Sequence, residues 1–257
     1  GSIKNRYALL VGVNRYTDPN FEDLKFAVSD VIALEASLKN KGYIVRSVHD
    51  KKEEYDWPEN GNIWEGLNSI LHNWKAEDFL FIHFACHGKV LDDGRRALVT
   101  RRSRLHSLPD TNLSGGGLLL DDLLEKLKDK KKYDVRRCLI SLDACHQGVD
   151  IGRGSDEAFI KNVFTTAEGI AIMAASTSQQ IAHEKDELEH GLYTYFMLKG
   201  LEGEARNADN LVTVNSLYHY ILNNTRRWNI ENSGVQDPTI ERGGIGDMIV
   251  TNLSQGE

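Results

Sequence analysis

Two short motifs in the sequence contain side chains that can together attack a carbonyl carbon. One is the run CHG at 86–88, and the other is the run DACHQG at 143–148. A thiol beside an imidazole can lose its proton, and the thiolate that results is the nucleophile of cysteine chemistry. The imidazole can then protonate a leaving amine. These residue types predict a cysteine hydrolase in which Cys145 is the nucleophile and His87 is its catalytic partner.

Backbone amides beside these two residues are candidates for an oxyanion hole. Gly88 leaves space for a substrate and can present its N–H, and the N–H of Cys145 is the second predicted donor. Each motif alone also has a structural interpretation, because cysteine at a strand end is often a small buried apolar residue. A zinc site is disfavoured, since Cys86 and His87 are adjacent on a strand and point to opposite sides.

The segments that precede both motifs are apolar and predict buried strands. Strands are predicted at 7–13, 43–48, 78–85, 137–142, 169–175 and 247–251, and helices at 28–41, 63–74, 118–130, 192–201 and 213–228. Alternating strands and helices predict an α/β fold with a mostly parallel central sheet of about six strands. Continuously apolar strands fit a sheet covered by helices on both faces. Sites in such sheets form at the carboxyl ends of strands, where His87 and Cys145 are expected to meet.

Bulk properties exclude several other classes of protein. The chain has 257 residues and a formal net charge of -7, which disfavours a nucleic-acid partner. No apolar run approaches the ~20 residues of a membrane span, so no membrane association is expected. Three cysteines and no leader pattern predict a reducing, cytoplasmic location. The segments 89–117 and 148–166 are predicted loops, and the arginines near position 100 are expected to be solvated.

At the two motifs the sequence resembles the caspase-like clan of cysteine peptidases. The run FACHG, followed 58 positions after its His by the Cys of DACHQG, is similar to the caspase His-Gly and Ala-Cys signatures. The form of the second motif resembles metacaspases and bacterial orthocaspases rather than animal caspases. Four further segments resemble other parts of the metacaspase sequence, namely 7–14, 24–30, 174–176 and 191–194. Gln147 departs from the pattern, because metacaspases usually carry Ser at that position.

The resemblance implies one caspase-like peptidase domain over 1–257. Within it, 3–148 would form the larger catalytic segment, 149–166 the joining loop and 167–257 the smaller segment. Enzymes of this type often cut themselves in such a loop, and exposed loops are where proteolysis concentrates. Arg153 and Lys161 are therefore the predicted sites of self-cleavage.

The resemblance also implies a specificity pocket. Animal caspases carry Gln two residues before the nucleophile, whereas this chain carries Asp143. In metacaspase-like enzymes this residue and the one matching Asp30 line the pocket, and Ser176 is predicted to contribute to its wall. Two carboxylates favour Arg or Lys before the scissile bond, because Arg pairs bidentately with carboxylates. The alternative for Asp30 is a charge placed to suit the start of a helix.

Calcium is a hypothesis that follows from the same family. Asp121 and Asp122 resemble paired aspartates that bind calcium in some metacaspases, and Asp110 and Asp150 could complete an oxygen cage. Calcium would order loops, so no cofactor is required for the chemistry itself. The alternative is that Asp121 and Asp122 simply begin a helix.

The sequence therefore predicts an endopeptidase that cuts proteins or peptides after Arg or Lys through a Cys/His dyad. One alternative is a pseudo-peptidase or signalling module that needs a regulatory protein partner. Another is a cysteine amidase or acyltransferase, which Asp30 and Asp143 disfavour because a small neutral substrate would leave their buried charges without a partner. Oligomeric state stays open.

Overall fold

A computed structural model describes residues 3–146, 169–175, 184–185, 190–232, 234, 238–242 and 246–255. Its strands are β1 (Arg6–Gly12), β2 (Tyr43–His49), β3 (Phe79–Val90), β4 (Arg96–Val99), β5 (Leu118–Leu119), β6 (Cys138–His146), β7 (Ile170–Ala174), β8 (Glu184–Lys185), β9 (His190–Gly191), β10 (Leu211–Thr213), β11 (Thr239–Arg242) and β12 (Ile249–Asn252). Its helices are α1 (Ala27–Asn40), α2 (Asn60–His72), α3 (Leu120–Leu127), α4 (Leu192–Lys199) and α5 (Val214–Asn232).

The central sheet has the order β11-β7-β6-β3-β1-β2. Strands β2, β1, β3, β6 and β7 run parallel, and β11 closes one edge in the antiparallel direction. Two short strands branch from this path, since β4 pairs with the end of β3 and β5 pairs with β4. The main path confirms the predicted, mostly parallel sheet of about six strands.

Helices cover both faces of the sheet. On one face, α2 and α3 bury leucines and isoleucines against the same side of β1, β3 and β6. On the other face, α1, α4 and α5 pack on the alternate strand residues. In α1, Val31, Leu34 and Leu38 recur every three or four residues, so one stripe of the helix meets the sheet. The predicted α/β class with two covered faces is confirmed.

Strand lengths near the predicted site differ from the sequence prediction. The prediction ended the strands at Ala85 and Leu142, but β3 continues to Val90 and β6 continues to His146. The extension has a physical cause, because β4 pairs with β3 from His87 to Val90 and supplies further hydrogen bonds. His87 and Cys145 thus lie inside the last part of two paired strands.

The region 89–117 was predicted to be a loop, and this is wrong in part. It contains β4, all four residues of which are buried, and Arg96 is only 6% exposed. Leu118 and Leu119 form a strand rather than the start of a helix, because they pair with β4. The predicted joining loop 149–166 lies outside the described residues, so the division into two catalytic segments stays a prediction. None of the described helices is long and apolar enough to cross a bilayer.

Candidate active site

Neighbouring strands at the centre of the sheet carry a row of mostly polar positions. On β3, His83, Ala85 and His87 lie two residues apart and therefore share one face. The register pairs these three positions with Ser141, Asp143 and Cys145 of β6, in that order. The pairing brings the two predicted catalytic residues to the same level of adjacent strands, although they are 58 positions apart in the sequence. For Cys145 the structure describes the backbone position in β6.

The ring of His87 is held by uncharged groups from the loop that follows β1. Its Nε2 lies 2.6 Å from the carbonyl oxygen of Glu22. A carbonyl can only accept, so Nε2 carries a proton, and Nδ1 is the ring nitrogen left to take part in proton transfer. The backbone N–H of His87 donates to the hydroxyl of Tyr16 at 2.8 Å, and the two ring centroids are 4.9 Å apart. With a second ring from Phe21 stacked at 6.2 Å, the imidazole is only 3% exposed.

The loop after β1 is itself anchored by a partly buried ion pair. Asp50 accepts from the backbone N–H of Asn14 at 2.7 Å and pairs with Arg101 at 2.9 Å. The guanidinium of Arg101 also lies 3.9 Å above the ring of Trp57. Arg101 is thus a structural residue that connects the loop after β1 with the loop after β4, and it is not the solvated arginine that the sequence predicted.

Asp30 and Asp143 come together beside the start of α4. Both carboxylates are buried, at 2% and 9% exposure. Asp143 accepts a hydrogen bond from the hydroxyl of Thr194 at 2.9 Å, and Asp30 accepts one from the backbone N–H of Gly191 at 3.3 Å. Asp30 does stand in the first turn of α1, as the helix-dipole alternative requires, but its carboxylate faces the same space as Asp143.

Gly191 shows how close the two carboxylates are. A methyl group added to its Cα would lie 3.0 Å from an oxygen of Asp143 and 3.3 Å from an oxygen of Asp30. Both oxygens therefore border the space in front of one glycine. On the neighbouring strand, the residue in register with Asp143 is Ala85, whose small side chain takes little of that space. The result is a compact acidic group on the face of the sheet that also carries His87.

Other predicted site residues have less structural information. Gly88 is buried in β3, in register with His146 of β6 and Leu98 of β4, and its oxyanion role stays a prediction. Ser176 lies outside the described residues, as do Arg153 and Lys161.

The remaining two cysteines are poor nucleophiles. Cys86 and Cys138 are fully buried on the face covered by α2 and α3. Burial raises the pKa of both thiols well above the ordinary value, and the charge of Asp143 raises that of Cys86 further. A thiol must ionise to attack, so these two are inert under ordinary conditions.

The aspartates proposed to hold calcium are dispersed in the described part of the chain. Asp121 and Asp122 stand in the first turn of α3, where a negative charge is favourable. Asp110 is exposed in the loop before β5, and Asp150 lies outside the described residues. No cluster of three or more His, Cys, Asp or Glu side chains suitable for a metal occurs among the described residues. The calcium cage stays a prediction, and no step of the chemistry is assigned to it.

Three contacts in the site were missed by sequence reasoning. They are the hydroxyl of Tyr16, the carbonyl of Glu22 and the hydroxyl of Thr194. A backbone carbonyl has no sequence signature, and Tyr16 is 71 positions from His87. Thr194 belongs to the segment 191–194, which resembles part of the metacaspase family, but the resemblance gave its hydroxyl no role.

Comparison with a family model gives a match over nearly the whole chain. The model describes the caspase domain of peptidase family C14, and it matches residues 5–243. That range includes both predicted catalytic positions and both buried aspartates.

Related sequences are fungal metacaspases. Metacaspase-1 of Candida albicans is 25% identical over 157 residues, which cover 55% of this chain and 33% of that protein. Metacaspase-1B of Aspergillus niger is 33% identical over 88 residues, covering 32% of this chain and 20% of that protein. The matched part of this chain thus corresponds to a third or less of the length of these relatives.

Solved structures share the fold. A protein from Geobacter sulfurreducens aligns with a TM-score of 0.66 at 16% identity, covering 95% of both chains. Caspase-1 from Spodoptera frugiperda aligns with a TM-score of 0.64 at 12% identity, covering 95% of this chain and 88% of that one. The architecture described above is therefore the caspase-like fold.

Proposed function

The chain belongs to the caspase domain family, and we propose that it is a cysteine endopeptidase that cleaves proteins or peptides after Arg or Lys. One observation carries the proposal. The register of β3 and β6 brings His87 level with Cys145, at the end of the sheet where Asp30 and Asp143 also meet. A nucleophile, a proton carrier and an acidic pocket on one sheet edge fit peptide hydrolysis after a basic side chain.

The chemistry begins with transfer of the Cys145 thiol proton to Nδ1 of His87. The thiolate adds to the carbonyl carbon of the scissile bond, and the oxyanion that forms is bound by the N–H groups of Gly88 and Cys145. As the C–N bond breaks, His87 returns the proton to the leaving amine. Water then attacks the thioester with His87 as base, which releases the acid and restores the thiol. The hydrogen bond to Glu22 supports this role because it fixes the ring tautomer.

Asp30 and Asp143, which we call the acidic pair, give the proposed preference for Arg or Lys. Two buried carboxylates close together repel one another, and the charged form of each is costly to bury. A substrate cation entering the space beside Gly191 would offset both costs. Arg fits best because its planar guanidinium can pair with two carboxylate oxygens at once, whereas Lys offers a single ammonium.

Self-processing and calcium activation are the finer parts of the proposal. Arg153 and Lys161 supply the basic residues that such an enzyme would cut in the joining segment. Intact mass spectrometry of the chain and of Cys145→Ala after incubation tests this. Cleavage after Arg153 or Lys161 in the active chain alone supports self-processing. An uncut chain that still hydrolyses peptides would remove it.

Fluorogenic peptides that differ only at the residue before the scissile bond test the main proposal. We expect cleavage after Arg and Lys, little after citrulline, which is neutral and nearly isosteric with Arg, and none after Asp. Cys145→Ala should abolish it. Adding calcium or a chelator in parallel tests the role of Asp110, Asp121, Asp122 and Asp150. Cleavage after Asp would contradict the acidic pocket, and no cleavage of any peptide would favour the pseudo-peptidase alternative.

A further inference from the structure

A buried polar chain lies directly below the acidic pair, in a part of the sheet that is otherwise apolar. Nδ1 of His83 lies 2.8 Å from the hydroxyl of Ser141, which in turn lies 2.8 Å from the hydroxyl of Tyr193. All three residues are at most 1% exposed. Their neighbours on this face are apolar, and they include Phe81, Leu139, Met173 and Met197.

This hydrogen-bonded network is only partly satisfied. Nε2 of His83 is buried and has no hydrogen-bond partner among the described residues. Burial lowers the pKa of His83 to about 3, so the ring is neutral at physiological pH. A buried polar network that is only partly satisfied is less stable than a well-packed apolar core. The three polar groups therefore suggest a purpose other than stability.

The position of Tyr193 indicates what that purpose is. Tyr193 lies in the first turn of α4, between Gly191, whose N–H binds Asp30, and Thr194, whose hydroxyl binds Asp143. Its own hydroxyl fastens that turn to Ser141, two residues before Asp143 on β6 and hence about 7 Å along the strand. Burial raises the pKa of Tyr193, and the charge of Asp143 raises it further, so the phenol stays protonated.

We propose that His83, Ser141 and Tyr193 are positioning residues that set the distance between the start of α4 and β6, and thereby the geometry of the Asp30–Asp143 pocket for a basic side chain. The inference rests on the proposed function, because it assigns these residues to the selectivity of that same site. These three side chains do not touch the reacting atoms. Its loss should change how well a cation is bound and leave the chemistry of Cys145 and His87 intact.

A matched pair of tyrosine variants tests the proposal. Tyr193→Phe removes the hydroxyl and keeps the ring. Tyr43→Phe does the same to a tyrosine on the same face that is similarly buried. Its hydroxyl lies 2.7 Å from the carbonyl of Val250, and Tyr43 is the first residue of β2, at the amino end of the strand. We expect Tyr193→Phe to raise KM for an Arg peptide about tenfold, the effect of one well-placed hydrogen bond, with kcat within about twofold. Tyr43→Phe should leave both constants within about twofold.

Two further measurements separate selectivity from stability. The ratio of kcat/KM for the Arg peptide to that for the citrulline peptide should fall in Tyr193→Phe and in Ser141→Ala, but not in Tyr43→Phe. The rate at which iodoacetamide alkylates Cys145 should be the same in all of these chains. Equal changes in Tyr193→Phe and Tyr43→Phe, or an alkylation rate that falls together with peptide cleavage, would overturn the inference.

A binding experiment distinguishes failure of this inference from failure of the proposed function. Nα-acetyl-arginine amide is titrated by calorimetry into the full chain carrying Cys145→Ala, with and without Tyr193→Phe. About tenfold weaker binding in the double variant supports the inference even if the unaltered chain cleaves no peptide. Equal binding by both, beside normal cleavage, overturns the inference alone. Failure of the Cys145→Ala chain to bind the amide contradicts both the pocket and its positioning residues.

Discussion

The ring of His87 and the carboxylates of Asp30 and Asp143 lie at the same end of the sheet but are held in different ways. His87 is held by a carbonyl, a hydroxyl and two aromatic rings, none of which is charged. Asp30 and Asp143 instead bring two acidic groups together, with a backbone N–H and a hydroxyl as neutral donors. The contact with the Glu22 carbonyl fixes the tautomer of the His87 ring, whereas adjacent carboxylates attract a cation. Catalysis and selectivity should therefore respond to different substitutions.

We call His87 and the groups that hold it the histidine side of the site, and Asp30 and Asp143 with their donors the acidic side. Substitution on the histidine side should have the largest effect on activity. His87→Ala removes the proton acceptor and donor, so kcat for an Arg peptide should fall by about 10³-fold or more, as when one member of a catalytic set is removed. Steady-state kinetics measure this, with His72→Ala, at an exposed histidine of α2, as the control. Retention of more than a tenth of the activity would show that His87 is not the proton carrier.

Substitution on the acidic side should produce the next largest effect, and in KM rather than kcat. Asp143→Asn or Asp30→Asn removes one buried charge that faces the substrate cation, which should lower kcat/KM for the Arg peptide about 10²-fold. Asp78→Asn is the matched control, because Asp78 is fully buried yet binds Asn5 at the opposite end of the sheet. An unchanged preference for Arg over citrulline in both pocket variants would contradict the acidic pocket.

Tyr16 offers a smaller test of the histidine side. Tyr16→Phe leaves the N–H of His87 without its acceptor but keeps the ring that packs on the imidazole. Loss of this single hydrogen bond should lower kcat about tenfold while KM changes little. Tyr55→Phe, at a tyrosine that is 70% exposed, serves as the control. A change in KM with constant kcat would assign Tyr16 to the acidic side and contradict the separation of catalysis from selectivity.

The buried His83, in the hydrogen-bonded network beneath the acidic side, predicts a dependence of folding stability on pH. Because the pKa of His83 is about 3 in the folded chain and near 6.5 when unfolded, the unfolded state binds more protons between these values. The contribution of His83 to the free energy of unfolding is thus at its full value above pH 6.5, where the ring is neutral in both states. It falls as the pH drops from 6.5 toward 3, because only the unfolded chain then binds the proton readily. The loss is at most about 1.4 kcal/mol per pH unit.

Urea unfolding at pH 7 and pH 5 measures this dependence. His83→Asn removes the titrating group and keeps a polar side chain, so the variant should lose less stability on acidification than the unaltered chain. Other carboxylates and histidines titrate in both proteins, and their effects cancel in the comparison. The same loss in both chains would contradict a neutral, buried His83.

The sequence could predict the fold because its strands are strongly apolar. The runs that became β1, β3, β6 and β7 are buried on both faces, so their composition marks them without any knowledge of partners. Short strands were missed for the opposite reason. The residues of β4 and β5 are buried only because they pair with one another and with the end of β3, a tertiary effect that local sequence does not carry.

The site divides in the same way. Residue types marked His87 and Cys145 as candidates, and the resemblance to metacaspases added Asp30 and Asp143. The strand register brings the first two together, and the space around Gly191 brings the last two together. Nothing in the sequence connects Tyr16 or the carbonyl of Glu22 to His87, because these contacts depend on how one loop folds over another strand. The Tyr193 hydroxyl was missed as well, since a tyrosine in an apolar helix is most simply a core residue.

Covalent labelling tests the central claim most directly. The full chain is treated with an Arg-ending peptide chloromethyl ketone, and the modified residue is found by peptide mass spectrometry. We predict one adduct, on Cys145, which is prevented by His87→Ala and is much slower with an Asp-ending reagent. Cys86 and Cys138 should stay unmodified, because both are fully buried and their thiols have raised pKa values. An adduct on Cys86 or Cys138, or faster labelling by the Asp-ending reagent, would contradict the account.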